Sequence, residues 1–442
     1  MRKLSVVVGV LVVLAALAIP VGADIPAPGG PFNTQILVQN LASEPAHCVV
    51  GFYTASGDEA ASANLPEIPV GESAGVYLPG VAGLADGQYA AVVFCDQNVA
   101  TVANMSDPNS GASYCGVAQA ELTGTLYAPG LYDNYWNYYS DVVVQNASSA
   151  AVTVTLEVYS AGSSSPVYTD TRTDVPANGF VNFGQEGVAE LANNLAYSGV
   201  ISSTGDVAAV VSIYGRGSVD NQLYSYNPLA GGSEAAYAPV IMNDFYGYNT
   251  ALTIQNMGAS DAEVTITYGT GVTKTTTIAP GAADARYTPG EGLGSGVLTS
   301  AKVECTNGQP IAMLVNESTD KNRAASYTGF VAGSTTVRAP AVMRRFYKWN
   351  SSVTCQNVGT APATMSIQYG GIALPTTSPL IAVNGTHLFY QPGEAALSDG
   401  WMGSATITSA EPIVCVVNED MNEPPERDQL MDQLYAYNAI GQ

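Results

Sequence analysis

Histidine is almost missing from this 442-residue chain: His47 and His387 are the only two. A zinc centre is therefore not expected. The six cysteines do not make up the shortfall, because none forms a Cys-x-x-Cys pair. Basic side chains are scarce as well, 14 Lys and Arg against 37 Asp and Glu, for a net charge of −23. So acidic a chain is a poor match for nucleic-acid phosphates or an anionic lipid surface. The nucleophile-elbow, zincin and phosphate-loop motifs are absent too. Beyond residue 19 there is no long apolar run that would cross a bilayer as a helix.

What the chain has is β-forming. Only 12% of it is charged and 47% is hydrophobic, with 45 Gly and 26 Tyr. Together with abundant Val and Thr, this is a composition of strands rather than helices or disorder. The N-terminus reads as an export signal: Arg2 and Lys3, an apolar run from Leu4 to Ile19, then Pro20-Val21-Gly22-Ala23 ahead of Asp24. The apolar run has 16 residues, short of the ~20 that span a bilayer, so cleavage after Ala23 is expected. Loss of Arg2 and Lys3 leaves 12 basic against 37 acidic residues, a net charge of −25. The expected location is therefore secreted, extracellular or at the cell surface, where disulfides are permitted.

The dominant feature is a repeat. Val142-Val143-Val144-Gln145-Asn146 has counterparts in Ile36–Asn40, Leu252–Asn256 and Val353–Asn357. An Ala-Pro dipeptide precedes each copy, with prolines at 28, 129, 239 and 340, spaced by 101, 110 and 101 residues. Between the dipeptide and the Gln-Asn strand lies an aromatic, Asn-rich entry. After the strand comes a run of period two, as in Val152-Thr153-Val154-Thr155-Leu156, which places Val152, Val154 and Leu156 on one buried face. A Tyr-x-Pro-Gly turn recurs at Tyr77, Tyr287 and Tyr390, and each copy closes on a short strand at Tyr114, Tyr226, Tyr327 or Tyr437. About seven strands per ~100 residues predict an all-β chain of four tandem β-sandwich repeats, immunoglobulin- or fibronectin-like, behind a signal peptide. The expected partition is 1–23 for the signal, then 24–127, 128–237, 238–338 and 339–442, with the Ala-Pro dipeptides as linkers. A β-propeller with two blades per copy is the competing architecture.

The Ala-Pro, aromatic-Asn, Gln-Asn pattern resembles the tandem all-β repeats of secreted bacterial cell-surface proteins. The resemblance covers the whole mature chain and implies a surface or matrix role, but it carries no functional residues across.

Candidate chemistry is sparse. Cys355 and Cys415 lie in apolar strands of one repeat, at a spacing that resembles the inter-sheet bridge of immunoglobulin domains; two buried thiols are the alternative. The aromatic entries hold Tyr135, Trp136, Tyr246, Tyr248, Tyr347 and Trp349, which would either face a ligand or fill an interdomain contact. Asn- and acid-rich stretches at 104–109, 316–320 and 418–423 read as loops that offer oxygens to calcium; no other cofactor is expected. No catalytic residues are assigned. The expected function is a non-enzymatic structural or adhesive surface protein. Its first and last repeats look uncapped; these are either ordinary domain ends or faces for head-to-tail self-association into a filament, sheath or layer. A glycan- or protein-binding module using the aromatic entries, and a hydrolase of unrecognised type, are the alternatives.

Overall fold

The Gln-Asn strands become Asn33–Asn40, Tyr138–Asn146, Tyr248–Asn256 and Asn350–Asn357 in the computed structural model, which describes residues 9–15, 32–319, 323–421, 423 and 431–441. Their terminal Asn explains the motif. Asn146 Nδ2 donates to the carbonyls of Ala150 (2.7 Å) and Val175 (3.0 Å), and Oδ1 accepts the Ser148 N–H (2.8 Å). Asn40, Asn256 and Asn357 make the same three bonds at their own turns. A buried side-chain amide thus shapes the turn that follows and ties it to a later strand, a role apolar residues cannot fill.

Repeat 3 shows the unit most plainly. One sheet runs Ala235–Asn243, Val297–Cys305, Ala262–Tyr268, Thr273–Ile278; the other runs Ala283–Tyr287, Tyr248–Asn256, Ile311–Thr319, Ala324–Thr328. All pairings are antiparallel. The unit therefore has eight strands, one more than the sequence count. In repeats 2 and 4, single 20-residue strands, Ala196–Gly215 and Trp401–Asp420, pass through both sheets. Val152, Val154, Leu156 and Val158 are buried on one face, as period two predicts, while Thr155 on the other face bonds across to Thr171 at 3.0 Å.

The Ala-Pro dipeptides of repeats 2 to 4 are not linkers. They lie within strands Thr123–Tyr132, Ala235–Asn243 and Ser334–Arg344, with Ala128, Ala238 and Ala339 fully buried. The pairing register shifts at each, between Ala128 and Leu131, Ala238 and Ile241, and Ala339 and Val342. Proline lacks the N–H that a regular ladder needs, so it sits where the ladder is already broken. In repeat 1 the equivalent place against Tyr89–Cys95 is taken by Gly9–Ala15, from the apolar run read as the signal. The expected cleavage point and Ala27-Pro28 lie outside the described residues. No helix among the described residues is long and apolar enough to cross a membrane.

The four units are not an open string. Their closing strands, Gly111–Cys115, Leu223–Tyr226, Ala324–Thr328 and Leu434–Asn438, pack side by side in cyclic order around one axis, the fourth against the first. Each hydrophobic core takes side chains from the next repeat. Val210 and Tyr214 enter the core of repeat 1, Leu314 that of repeat 2, Val416 and Leu434 that of repeat 3, and Leu37 and Val102 of repeat 1 complete that of repeat 4. The closing contact also reuses polar bonds of the contact before it. Ser404 Oγ donates to Gly71 O and Ser73 Oγ to Pro340 O (2.8 Å), just as Ser300 Oγ donates to Asn384 O and Thr386 Oγ1 to Pro239 O (3.0 Å). The ends that looked free for head-to-tail contact between molecules are therefore occupied by each other within the chain. A head-to-tail interface whose rotation closes makes a ring, and here the ring closes after four units.

Candidate functional site

Two features stand out on this ring: a rim of aromatic hairpin tips and a set of buried acids along the axis.

The aromatic entries of repeats 2, 3 and 4 form two-residue hairpins closed by paired backbone bonds between Tyr135 and Tyr138, Phe245 and Tyr248, and Phe346 and Trp349. Both central residues have positive φ in every case: Trp136 (55°) and Asn137 (67°), Tyr246 (52°) and Gly247 (85°), Tyr347 (48°) and Lys348 (74°). This is the primed turn that matches strand twist, and its usual occupants are Asn, Asp and Gly. A bulky aromatic at the first position costs about 1 kcal/mol or more in backbone strain. Trp136, Tyr246 and Tyr347 are nonetheless 71%, 88% and 82% exposed, each packing edge-on to the preceding aromatic, Tyr135 (6.5 Å), Phe245 (4.8 Å) or Phe346 (4.8 Å).

The structure thus divides the six aromatics singled out in the sequence. Trp136, Tyr246 and Tyr347 project into solvent. Tyr135 stacks on Tyr132 at 5.2 Å, Tyr248 receives a hydrogen bond from Arg323, and Trp349 stacks on Tyr435 at 4.4 Å. The three hairpins lie on one side of the ring, because their bases converge on one end of the axis. Tyr138 and Tyr435 both feel the charge of Asp432 there, and Arg323 links Tyr248 to the same carboxylate. Among the described residues repeat 1 has no counterpart tip; its Phe32 is buried.

Asp432 ties this end together. Its carboxylate accepts the backbone N–H groups of Leu223 (2.7 Å), Ala324 (2.8 Å) and Leu434 (3.4 Å), and its own N–H donates to Asn109 O (2.8 Å). One residue therefore touches all four repeats. Burial still pushes its pKa well above the usual carboxylate value.

The Asn- and acid-rich stretches read as loops are partly something else. Asn104, Asn316 and Asn418, with Glu317 and Glu419, lie at the ends of strands beside the axis. Asn418 donates to Glu317 Oε2, and Asn104 donates to Glu419 Oε2 at 3.0 Å, so each acid is held by the Asn of the following repeat. Burial raises both Glu carboxyls to about 8 and that of Asp420 to about 7. Among the described residues no group of three or more His, Cys, Asp or Glu is placed to hold a metal ion. Nothing in the sequence marked these acids as interior; only their equivalence to Met105 and Ile213 in the repeat alignment signals it.

Cys355 and Cys415 are bonded to each other, as are Cys48 and Cys95. Both bridges join directly paired residues of neighbouring strands within one sheet, with Cα–Cα distances of 4.1 and 4.3 Å. The immunoglobulin bridge between sheets is not what this spacing encodes. Cys305 stays free because Val264 stands opposite it. The two histidines do not meet. His47 lies exposed beside Asp96 (3.0 Å) and Glu67 (3.3 Å), while His387 packs edge-on to Phe389 in repeat 4. No hydroxyl or thiol among the described residues is bonded to His47.

No family model and no curated protein matches the chain. Among solved structures, the crystal structure of Thermotoga maritima 1070 aligns at 22% identity and a TM-score of 0.20, over 22% of this chain and 94% of that one. The BSP domain of a biofilm-associated protein aligns at 8% identity and a TM-score of 0.16, over 93% of this chain and 91% of that one. Red sea bream transglutaminase follows at 9% and 0.10, over 53% and 29%. Likenesses this slight carry no argument, and the architecture rests on the chain's own bonding.

Proposed function

We propose that this is a secreted, non-enzymatic adhesive protein of the cell surface, and that the aromatic rim is its contact face. The observation that carries the reading is the three exposed aromatics held at positive φ on one side of a closed ring. Strain kept at three largely exposed aromatics is the kind of feature that clusters at functional sites. The ligand class we infer is a neutral polysaccharide. Tyr and Trp faces stack on sugar rings, the acidic surface disfavours anionic polymers, and a repeating polymer engages several tips at once.

The test is retention of the purified protein on neutral polysaccharides and on envelopes of the producing cells, compared with a Trp136→Ala, Tyr246→Ala, Tyr347→Ala triple variant. Loss of retention at an unchanged melting temperature supports the rim. Retention equal to that of the parent, or turnover of the polymer that the triple variant keeps, overturns the reading.

A further inference from the structure

Three of the four repeat junctions are bridged by the chain itself. The junction between repeats 4 and 1 is held by non-covalent contacts alone, so it is the one place where the ring can part while every unit stays folded. The contacts there are unusual. Glu419 sits fully buried at the seam, with Oε2 accepting from Asn104 of repeat 1 and Oε1 without a hydrogen-bond partner. The groups that face it are Asn104 from strand Val99–Ser106, Tyr435 and Tyr437 from the closing strand, and Ser351 at its register position. Asp107 and Asp432, both acidic, act on Tyr435 alongside Glu419. No Lys or Arg among the described residues pairs with Glu419. An ionised carboxylate in such a place would be uncompensated, and that is costly.

We propose that Glu419 is a proton-held latch on the ring, and that its ionisation opens the repeat 4–repeat 1 junction. An opened chain exposes the face of repeat 4 that lacks Leu37 and Val102, and it exposes the face of repeat 1 that carries them. The direction with pH is fixed by the burial that raises the Glu419 carboxyl to about 8. The closed ring then holds a proton that the open form gives up in the ordinary carboxylate range. Closure is favoured at low pH, and that advantage is lost as pH rises towards about 8.

This inference does not depend on the aromatic rim. It is tested by light scattering and sedimentation of the purified full chain at about pH 5 and above pH about 8. The expected result is a compact monomer on the acid side and an expanded, more slowly sedimenting monomer of the same mass on the alkaline side. Glu419→Gln keeps the shape and the acceptor for Asn104 but cannot ionise, so it stays compact on both sides. Glu317→Gln, at the covalently bridged junction between repeats 3 and 4, leaves the alkaline expansion intact. A parent chain that stays compact throughout, or a Glu419→Gln variant that expands as the parent does, overturns the latch.

Discussion

The four junctions of the ring share one backbone plan and divide into two chemical kinds. At equivalent register positions, opposite Thr34, Ser140, Thr250 and Ser351, stand Met105, Ile213, Glu317 and Glu419. The first two put an apolar side chain at the seam; the last two put a carboxyl there, paired with an Asn from the next repeat. One frame accepts both because adhesion between repeats is carried elsewhere, by shared cores and by repeated hydroxyl-to-carbonyl bonds. A buried acid adds little to stability and costs more once ionised. Its presence at the two junctions flanking repeat 4 marks that repeat as the conditional part of the ring.

The sharpest way to break this comparison is to remove what holds both kinds of junction together. Asp432→Ala strips the acceptor from the buried N–H groups of Leu223, Ala324 and Leu434, and each such loss costs about 1–3 kcal/mol. A fall in stability of about 3 kcal/mol or more is expected in a denaturant melt; a negligible fall would mean that the axis is held by the cores alone. Met105→Glu moves the acid into the junction between repeats 1 and 2, where Ser212 stands in place of the partner Asn. It should destabilise by about 2–3 kcal/mol at neutral pH and by less in acid, since protonation relieves the cost. An equal loss at both pH values would contradict the assignment of the seam as buried.

Repeats 1 and 3 allow a smaller contrast. Val264→Cys sets a thiol opposite Cys305 at the register position where Cys48 faces Cys95. A third disulfide should form under oxidising conditions and raise stability by about 2 kcal/mol, read as a reductant-sensitive rise in melting temperature. The smallest effect is expected at the rim. Tyr246→Asn relieves an aromatic at positive φ and should stabilise the protein by about 1 kcal/mol while weakening polysaccharide retention. A loss of stability instead would show that the edge-on contact of Tyr246 with Phe245 outweighs the strain.

Much of the unit was legible because it is local. Alternation at Val152, Val154, Leu156 and Val158 places the core face without reference to anything distant. The recurring Gln-Asn pair flagged a structural demand, and the bonds of Asn146 to Ala150 and Val175 show what that demand is. The Ala-Pro dipeptides misled, because proline marks a broken ladder equally well at a linker and at a register shift inside a strand. The 60-residue spacing of Cys355 and Cys415 is shared by bridges within a sheet and between sheets, so spacing could not choose between them. Trp136 and Tyr135 are neighbours in sequence yet face opposite environments, which only the turn geometry separates.

By itself the sequence determined an all-β chain of four like units, the inward face of the strands, and the residues that each turn requires. Periodicity and turn chemistry act within a few residues, so they can be read along the chain. Whether the units make an open string or a closed ring was decided only in three dimensions. That outcome depends on the small rotation each interface imposes on the next, accumulated over four units until Leu37 and Val102 meet the core of repeat 4. Closure then turned stretches that read as solvated loops into buried acids, because solvent exposure belongs to the assembled ring and not to any one repeat.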